Sequence, residues 1–275
     1  MPNTHNLTFF LGGHDLEMLT IKELLDEKGE LYYDAGLSWG AKASDYKNEI
    51  EETLRSGHTP VLVELIDDMG ISKQKGIIID HHGEKAGADR PTSLHQVFGL
   101  LRLPREKWSR WFELVAANDR GYIPEMLKIG AAKSEILKIR LADRKAQGIT
   151  DEQEKQGAQA VKRADILFDG KLTIVHLPHS KTAVVADLLY PALADRQHEN
   201  LLVISPNEVN FFGDGNIIFE LNTKFPGGWY GGALPDYGFW GHSSPASDVV
   251  EFLKKRVSDS TQAQVTSAES HLYSR

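Results

Sequence analysis

A carboxylate and two adjacent imidazoles, Asp80-His81-His82, stand where the apolar run Gly76-Ile77-Ile78-Ile79 ends. A short β-branched run bounded by a glycine and a polar cluster predicts an interior strand of a parallel sheet. In open α/β sheets, ligands bind beyond the carboxyl ends of such strands. The three side chains therefore offer metal ligands or proton carriers where that architecture places its chemistry. Further oxygen ligands stand in three segments. In Leu11-Gly12-Gly13-His14-Asp15-Leu16-Glu17 the glycines allow a sharp turn, and Asp15 and Glu17 fall near a helix start, where the dipole tolerates negative charge. Ordinary N-capping by Asp15 is the competing reading. Val61-Leu62-Val63-Glu64 closes an apolar run with a carboxylate, followed by Asp67 and Asp68, acids that a plain surface loop would also carry. Ala116-Ala117-Asn118-Asp119 puts an acid at a helix C-terminus, where the dipole disfavours it unless a cation, Arg120 or solvent compensates. Oxygen donors with imidazole and no sulfur suit Mn²⁺ or Mg²⁺ better than a structural zinc. Several carboxylates and a histidine could hold two ions roughly 3.5–4 Å apart, the spacing used to activate water and stabilise in-line phosphoryl displacement.

The elements that must position these groups alternate. Strand-like Asn6–Leu11, Leu31–Asp34, Val61–Leu65 and Gly76–Asp80 are interleaved with helix-like Leu16–Lys28, Ser44–Arg55, Ser93–Leu101 and Lys107–Ala117. This predicts a Rossmann-like, mostly parallel α/β sheet covered by helices, over residues 1–145. A helical linker is expected over 146–168, with Thr150 and Gln153 as a capping box. A smaller α+β domain is expected over 169–256, with strands at Lys171–His176, Leu201–Ser205 and Ile217–Leu221 and a helix from about Thr182 to Tyr190. Gly213-Asp214-Gly215-Asn216 reads as a tight turn between two β segments. The polar stretch 257–275 reads as a flexible tail. Phe225–Gly241, rich in glycine and aromatic residues, reads as an ordered loop whose backbone amides could approach an anion and whose rings, Trp229, Tyr230, Tyr237 or Trp240, could stack on a base. A loop folded over its own apolar cluster is the alternative. His176-Leu177-Pro178-His179-Ser180-Lys181-Thr182 leads into a helix whose amides could grip phosphate or simply be capped by Ser180. Arg90 and Arg120 are the cationic candidates beside the motif-bearing loops, with surface ion pairing as the bland alternative.

The bulk numbers fit this organisation. A chain of 275 residues with 41% hydrophobic and 25% charged residues is that of a globular protein with a sizeable core. With no cysteine, disulfides, thiolate metal sites and cysteine nucleophiles are excluded. No apolar stretch approaches the roughly 20 residues of a membrane span, and Met1-Pro2-Asn3-Thr4-His5 does not resemble a signal peptide, so a cytoplasmic location is expected. A formal charge of −8 argues against a broad surface for long duplex nucleic acid, whose affinity comes mainly from phosphate neutralisation.

In their order, the four segments resemble the motifs of the DHH phosphoesterase superfamily, which includes single-strand exonucleases, nanoRNases, cyclic-dinucleotide phosphodiesterases and family II pyrophosphatases. Asp80-His81-His82 resembles the namesake third motif; Asp15-Leu16-Glu17 the first, usually Asp-x-Asp; Glu64 or Asp67 the second; and Asp119 the fourth. The resemblance implies Asp15, Glu17, the second-motif acid, His81 and Asp119 as ligands of Mn²⁺ or Mg²⁺, with Asp80 supporting the site and His82 facing the scissile phosphate. It implies a Rossmann-like domain joined by a helical linker to a smaller domain that binds substrate through a glycine-rich motif with a histidine, to which Gly231-Gly232 and Gly241-His242 are similar in kind. Two features depart from the pattern. Glu17 stands where an Asp is usual, and no histidine precedes the first motif at the usual spacing, His14 lying next to Asp15 instead as ligand or neighbour. The expected function is a phosphohydrolase with a two-ion site, acting on a small phosphate compound or very short oligonucleotide, with Arg120 neutralising charge. The alternative is a catalytically weak sensor that binds nucleotide or metal. Either is compatible with a homo-oligomer.

Overall fold

The computed structural model describes residues 6–37, 40–74, 76–81, 90–194, 198–243 and 245–272, with backbone alone at 233 and from 260 onward. The chain divides into two compact units, Met1–Gly148 and Ile149–Arg275.

The first unit runs β1 (Leu7–Leu11), α1 (Leu16–Lys28), β2 (Leu31–Asp34), α2 (Lys47–Arg55), β3 (Thr59–Val63), β4 (Ile77–Ile79), α3 (Ser93–Leu100), α4 (Arg110–Lys128) and α5 (Lys133–Ala146). Its four strands lie in the order β2-β1-β3-β4, and every pair is parallel. All five residues of β1 are buried, as expected of a parallel strand covered on both faces. On one face Phe10, Leu62 and Ile71 pack with Tyr46 and Ile50. Leu11 pairs with Val63, and Val63 with Ile79, so the residues that follow β1, β3 and β4 emerge side by side. The chain leaves β1 toward β2 on one side and returns to β3 on the other. The site-bearing segments thus flank a topological switch point, where doubly wound sheets bind ligands.

Two local features shape this end of the sheet. Glu64 has φ 54, a left-handed conformation that strains a residue with a side chain. Gly12 makes room for it, since a Cβ there would stand 2.4 Å from the Glu64 carbonyl oxygen. Helix α4 is longer than the sequence pattern suggested and is broken just after Asp119, at Gly121 (φ −171) and Tyr122 (φ 63). Pro124 then falls in the first turn of the second segment, where its missing N–H costs nothing.

The second unit contains α6 (Asp151–Lys162), β5 (Asp165–Leu167), β6 (Leu172–His176), α7 (Ala183–Ala186), β7 (Leu201–Ile204), β8 (Val209–Gly213), α8 (Gly215–Lys224), β9 (Trp229–Ala233), β10 (Tyr237–His242) and α9 (Ala246–Leu272). The sheet order is β5-β6-β7-β8-β10-β9, with only β6–β7 parallel. One face packs Leu172, Leu202, Phe211 and Trp240 against Ile218, Leu221 and Leu253, and the other packs Val175 and Val203 against Ala160, Val184 and Val185.

Several expectations are corrected here. Ile217–Leu221 is helical because Asp214, read as a β-turn residue, caps α8 by accepting from Asn216 N (2.7 Å) and Ile217 N (3.3 Å). Phe225–Gly241 is not a loop but contains the antiparallel pair β9–β10. The Thr150–Gln153 capping box is present, yet its helix ends at Lys162, and Gly157 of α6 abuts Val184 within the second unit. The segment from Val257, expected to be flexible, is helical as far as Leu272. No helix among the described residues is long and apolar enough to cross a membrane.

Candidate metal centre

Four groups converge beyond the carboxyl ends of β1, β3 and β4. Glu17 lies in the first turn of α1, Glu64 follows β3, His81 follows β4, and Asp119 precedes the break in α4. One ligand atom from each lies within 4.8 Å of the others. Nε2 of His81 touches Oδ2 of Asp119 and stands 3.6 Å from Glu17 Oε2 and 3.8 Å from Glu64 Oε1. Glu17 is 2% exposed and His81 5%, so the charges are withheld from water.

The electrostatics follow. Burial pushes the carboxyls of Glu17 and Asp119 up, each also repelled by neighbouring acids and eased by His81. Burial alone would lower the His81 pKa, but Asp119 and then Glu17 outweigh it and raise it to about 10. His81 therefore holds the proton it shares with Asp119, because the carboxylates outnumber it. Asp15 adjoins the cluster: burial, with the charges of Glu64, Glu17 and Asp143, raises it to about 6 against the hydrogen bond from Met18 N. It also caps α1 through that bond, at 2.9 Å, as the N-capping reading expected.

Oxygen and imidazole donors at these separations fit a hard divalent cation. Glu17 Oε2 is buried and accepts no hydrogen bond among the described residues, as expected of an atom facing a cation. The excess of buried negative charge calls for the same compensation.

Other expected residues fall elsewhere. Asp67 does not reach the cluster; it accepts from Ile71 N (2.7 Å), Ser72 N (3.0 Å) and Ser72 Oγ (2.7 Å), closing its own turn. Of the two candidates for the second motif, Glu64 is the one brought in. His14 and Arg90 are exposed. Asp80 follows β4, and its carbonyl accepts from Gln96 Nε2 at 3.2 Å. His82 lies outside the described residues. Arg120 follows Asp119, and its buried Nε has no hydrogen-bond partner among the described residues. In the second unit, Gly231 and Gly232 lie on β9, and His242 on β10 stacks on Trp240 with its Nε2 3.2 Å from Pro226 O.

The sequence pattern missed the groups that hold these ligands. Glu17 Oε1 accepts from Leu94 N at 3.0 Å, and Thr92 is fully buried beside it. Asp143 accepts from Leu16 N (3.2 Å) and from Arg140 Nη1 (2.7 Å), which also donates to Asn118 Oδ1 (2.8 Å). Thr92 before an apolar helix was readable as a helix start, but its service to Glu17 was not, because no local spacing links them.

No family model matches the sequence, and no curated protein does. Among solved structures the chain is similar to an exopolyphosphatase-related protein from Bacteroides fragilis, with TM-score 0.50 and 12% identity over 94% of this chain and 93% of that one. A pGpG-specific phosphodiesterase from Vibrio cholerae aligns with TM-score 0.48 and 13% identity over 95% of this chain and 99% of that one. RecJ of Thermus thermophilus in complex with Mn²⁺ aligns with TM-score 0.45 and 11% identity over 94% of this chain and 52% of that one. The chain thus shares the fold of the Bacteroides fragilis protein over nearly its whole length, and has the α/β architecture that its DHH-like motifs implied.

Proposed function

We propose that this chain is a divalent-metal-dependent phosphoesterase acting on a small phosphorylated compound or a very short oligonucleotide. One observation carries the reading: the ligand atoms of Glu17, Glu64, His81 and Asp119, from four separate segments, lie within 4.8 Å of one another in a buried pocket of surplus negative charge. These four would hold Mn²⁺ or Mg²⁺, and Asp15, beside them, is assigned to a second ion. Ions bound there would lower the pKa of a water and offset charge developing on a phosphoryl group. Carboxylates and His81 Nε2 fix the ligand positions, and Asp80 supports the strand end that carries His81. Arg120, with its buried Nε uncommitted, neutralises substrate phosphate, and His82 is assigned to the leaving oxygen as a proton donor.

The first unit would carry the chemistry, and Arg90 on the first unit and Gly231, Gly232 and His242 on the second are each assigned to substrate binding. The β9–β10 hairpin leaves Trp229 47% and Tyr230 46% exposed, which favours a substrate with a base to stack over bare pyrophosphate.

Purified protein with Mn²⁺ should turn over at least one of a panel of dinucleotides, cyclic dinucleotides, nucleoside bisphosphates and pyrophosphate. His81→Ala and Asp119→Ala should each abolish that turnover. Tight nucleotide binding without turnover would replace the enzyme with a sensor, and calorimetric failure to bind Mn²⁺ would remove both.

A further inference from the structure

The two carboxylate oxygens of Glu17 have different surroundings. Oε1 accepts from Leu94 N at 3.0 Å, in the first turn of α3. The hydroxyl of Thr92, the fully buried N-cap residue of α3, lies beside the same carboxyl and helps to hold its pKa down. That hydroxyl is in turn 3.0 Å from Nδ1 of His95, whose ring stacks on Trp108 with centroids 4.1 Å apart. Oε2 meets none of these; it stands 3.6 Å from His81 Nε2, buried and without a hydrogen bond among the described residues.

We infer that the first turn of α3 is a positioning clamp for Glu17, in which Leu94 N–H and Thr92, steadied by His95, hold the carboxylate so that Oε2 alone faces His81 and Asp119. It rests on the metal reading above and adds to it a reason for the residue type. The acid is rooted on α1 and must reach the start of α3 and the cluster together. Glutamate spans both; aspartate, one methylene shorter, has to release one of them. Groups that orient ligands in this way govern metal affinity nearly as strongly as the ligands do. A carboxylate pinned at one oxygen also offers the other as a single, fixed donor, with no freedom to swing into bidentate binding.

Length and charge can be separated in the full-length protein. Glu17→Gln keeps the length, so in metal-free protein the Leu94 amide should stay protected from hydrogen exchange while Mn²⁺ affinity collapses. Glu17→Asp keeps the charge, so the Leu94 amide should exchange at least about tenfold faster, and calorimetric Mn²⁺ affinity should fall roughly 10–100-fold. Thr92→Val should weaken Mn²⁺ binding in the same direction, and Thr92→Ser should restore it, with thermal melts confirming that each variant folds. An unchanged Leu94 exchange rate in Glu17→Asp overturns the clamp, as does Mn²⁺ binding by Glu17→Asp and Thr92→Val as tight as that of the unaltered chain. If the unaltered chain takes no Mn²⁺, the metal reading falls by itself, and the clamp is judged by Leu94 exchange in the two Glu17 variants.

Discussion

His95 is a neutral group held next to charged ones. Burial lowers its pKa to about 4, and the charges of Arg120 and His81 push the same way. Its ring has a defined task, bonding Thr92 at 3.0 Å and stacking on Trp108. A histidine whose folded pKa lies below its unfolded value binds fewer protons in the native state than in the unfolded one. Its contribution to stability is whole above about pH 6.5 and is lost as pH falls toward 4. The imidazole should therefore remain neutral by NMR titration well below pH 6, lower than the roughly 6.5 of an unperturbed imidazole. A midpoint at 6 or above would mean the ring is solvated and is no support for Thr92. Glu64 shows a different use of the residue scale. Its left-handed backbone, φ 54, turns the side chain into the cluster directly after β3, and is accommodated by the bare Cα of Gly12.

At the scale of elements, α5 supports the start of α1 and the break in α4. Arg140 bridges Asn118 and Asp143, lies 4.2 Å over the Tyr122 ring, and is 5% exposed, while Asp143 receives Leu16 N. Removing the guanidinium strands a buried carboxylate at the root of α1. Arg140→Met should cost about 3–5 kcal/mol in denaturant unfolding and should weaken Mn²⁺ binding, although Arg140 is outside the ligand set. A loss below about 1 kcal/mol would show the network to be dispensable. The strands and helices of the first unit were legible because β1, β3 and β4 are largely apolar runs, and Glu64 directly follows one such segment, with His81 and Asp119 one residue further beyond theirs and Glu17 just past the glycine turn after β1. Arg140 and Asp143 were not, because their partners lie on other helices and no periodicity announces them. Ile217–Leu221 misread for a related reason: its apolar residues are too few to separate a period of 3.6 from a period of 2, and Asp214 decided the matter as a helix cap. The β9–β10 pair was hidden by its glycines. Gly241 lies under the Trp229 indole and Gly231 under the Phe239 ring, so residues that read as loop are there to make space for aromatic rings across the pair.

At the scale of the whole molecule, the cluster makes stability, proton binding and metal binding a single linked quantity. Asp15, raised to about 6, and Glu17 and Asp119, also raised, keep their protons to higher pH in the folded, metal-free chain than in the unfolded one. The native state then holds more of these protons than the unfolded state, so the acids' contribution falls as pH rises through the carboxylate range toward 6 and above. His81, raised to about 10, has the same sense at higher pH, its contribution intact below about 6.5 and lost as pH rises from there through 10. A divalent cation changes both sides. Held by these side chains, it would take the place of the protons on the acids and need His81 Nε2 deprotonated, so binding would release protons and tighten with pH. At one hundred times its dissociation constant, such a ligand stabilises by about 2.7 kcal/mol. The rise in melting temperature given by a fixed Mn²⁺ concentration should accordingly be clearly larger at pH 8 than at pH 5, and calorimetry in buffers of different ionisation enthalpy should register proton release. Asp119→Asn, which removes one acid and the partner of His81, should shrink both signals. An Mn²⁺ shift that is equal at the two pH values, or greater at pH 5, would place the ion at some other group of the protein and leave these four side chains without the role their convergence implies.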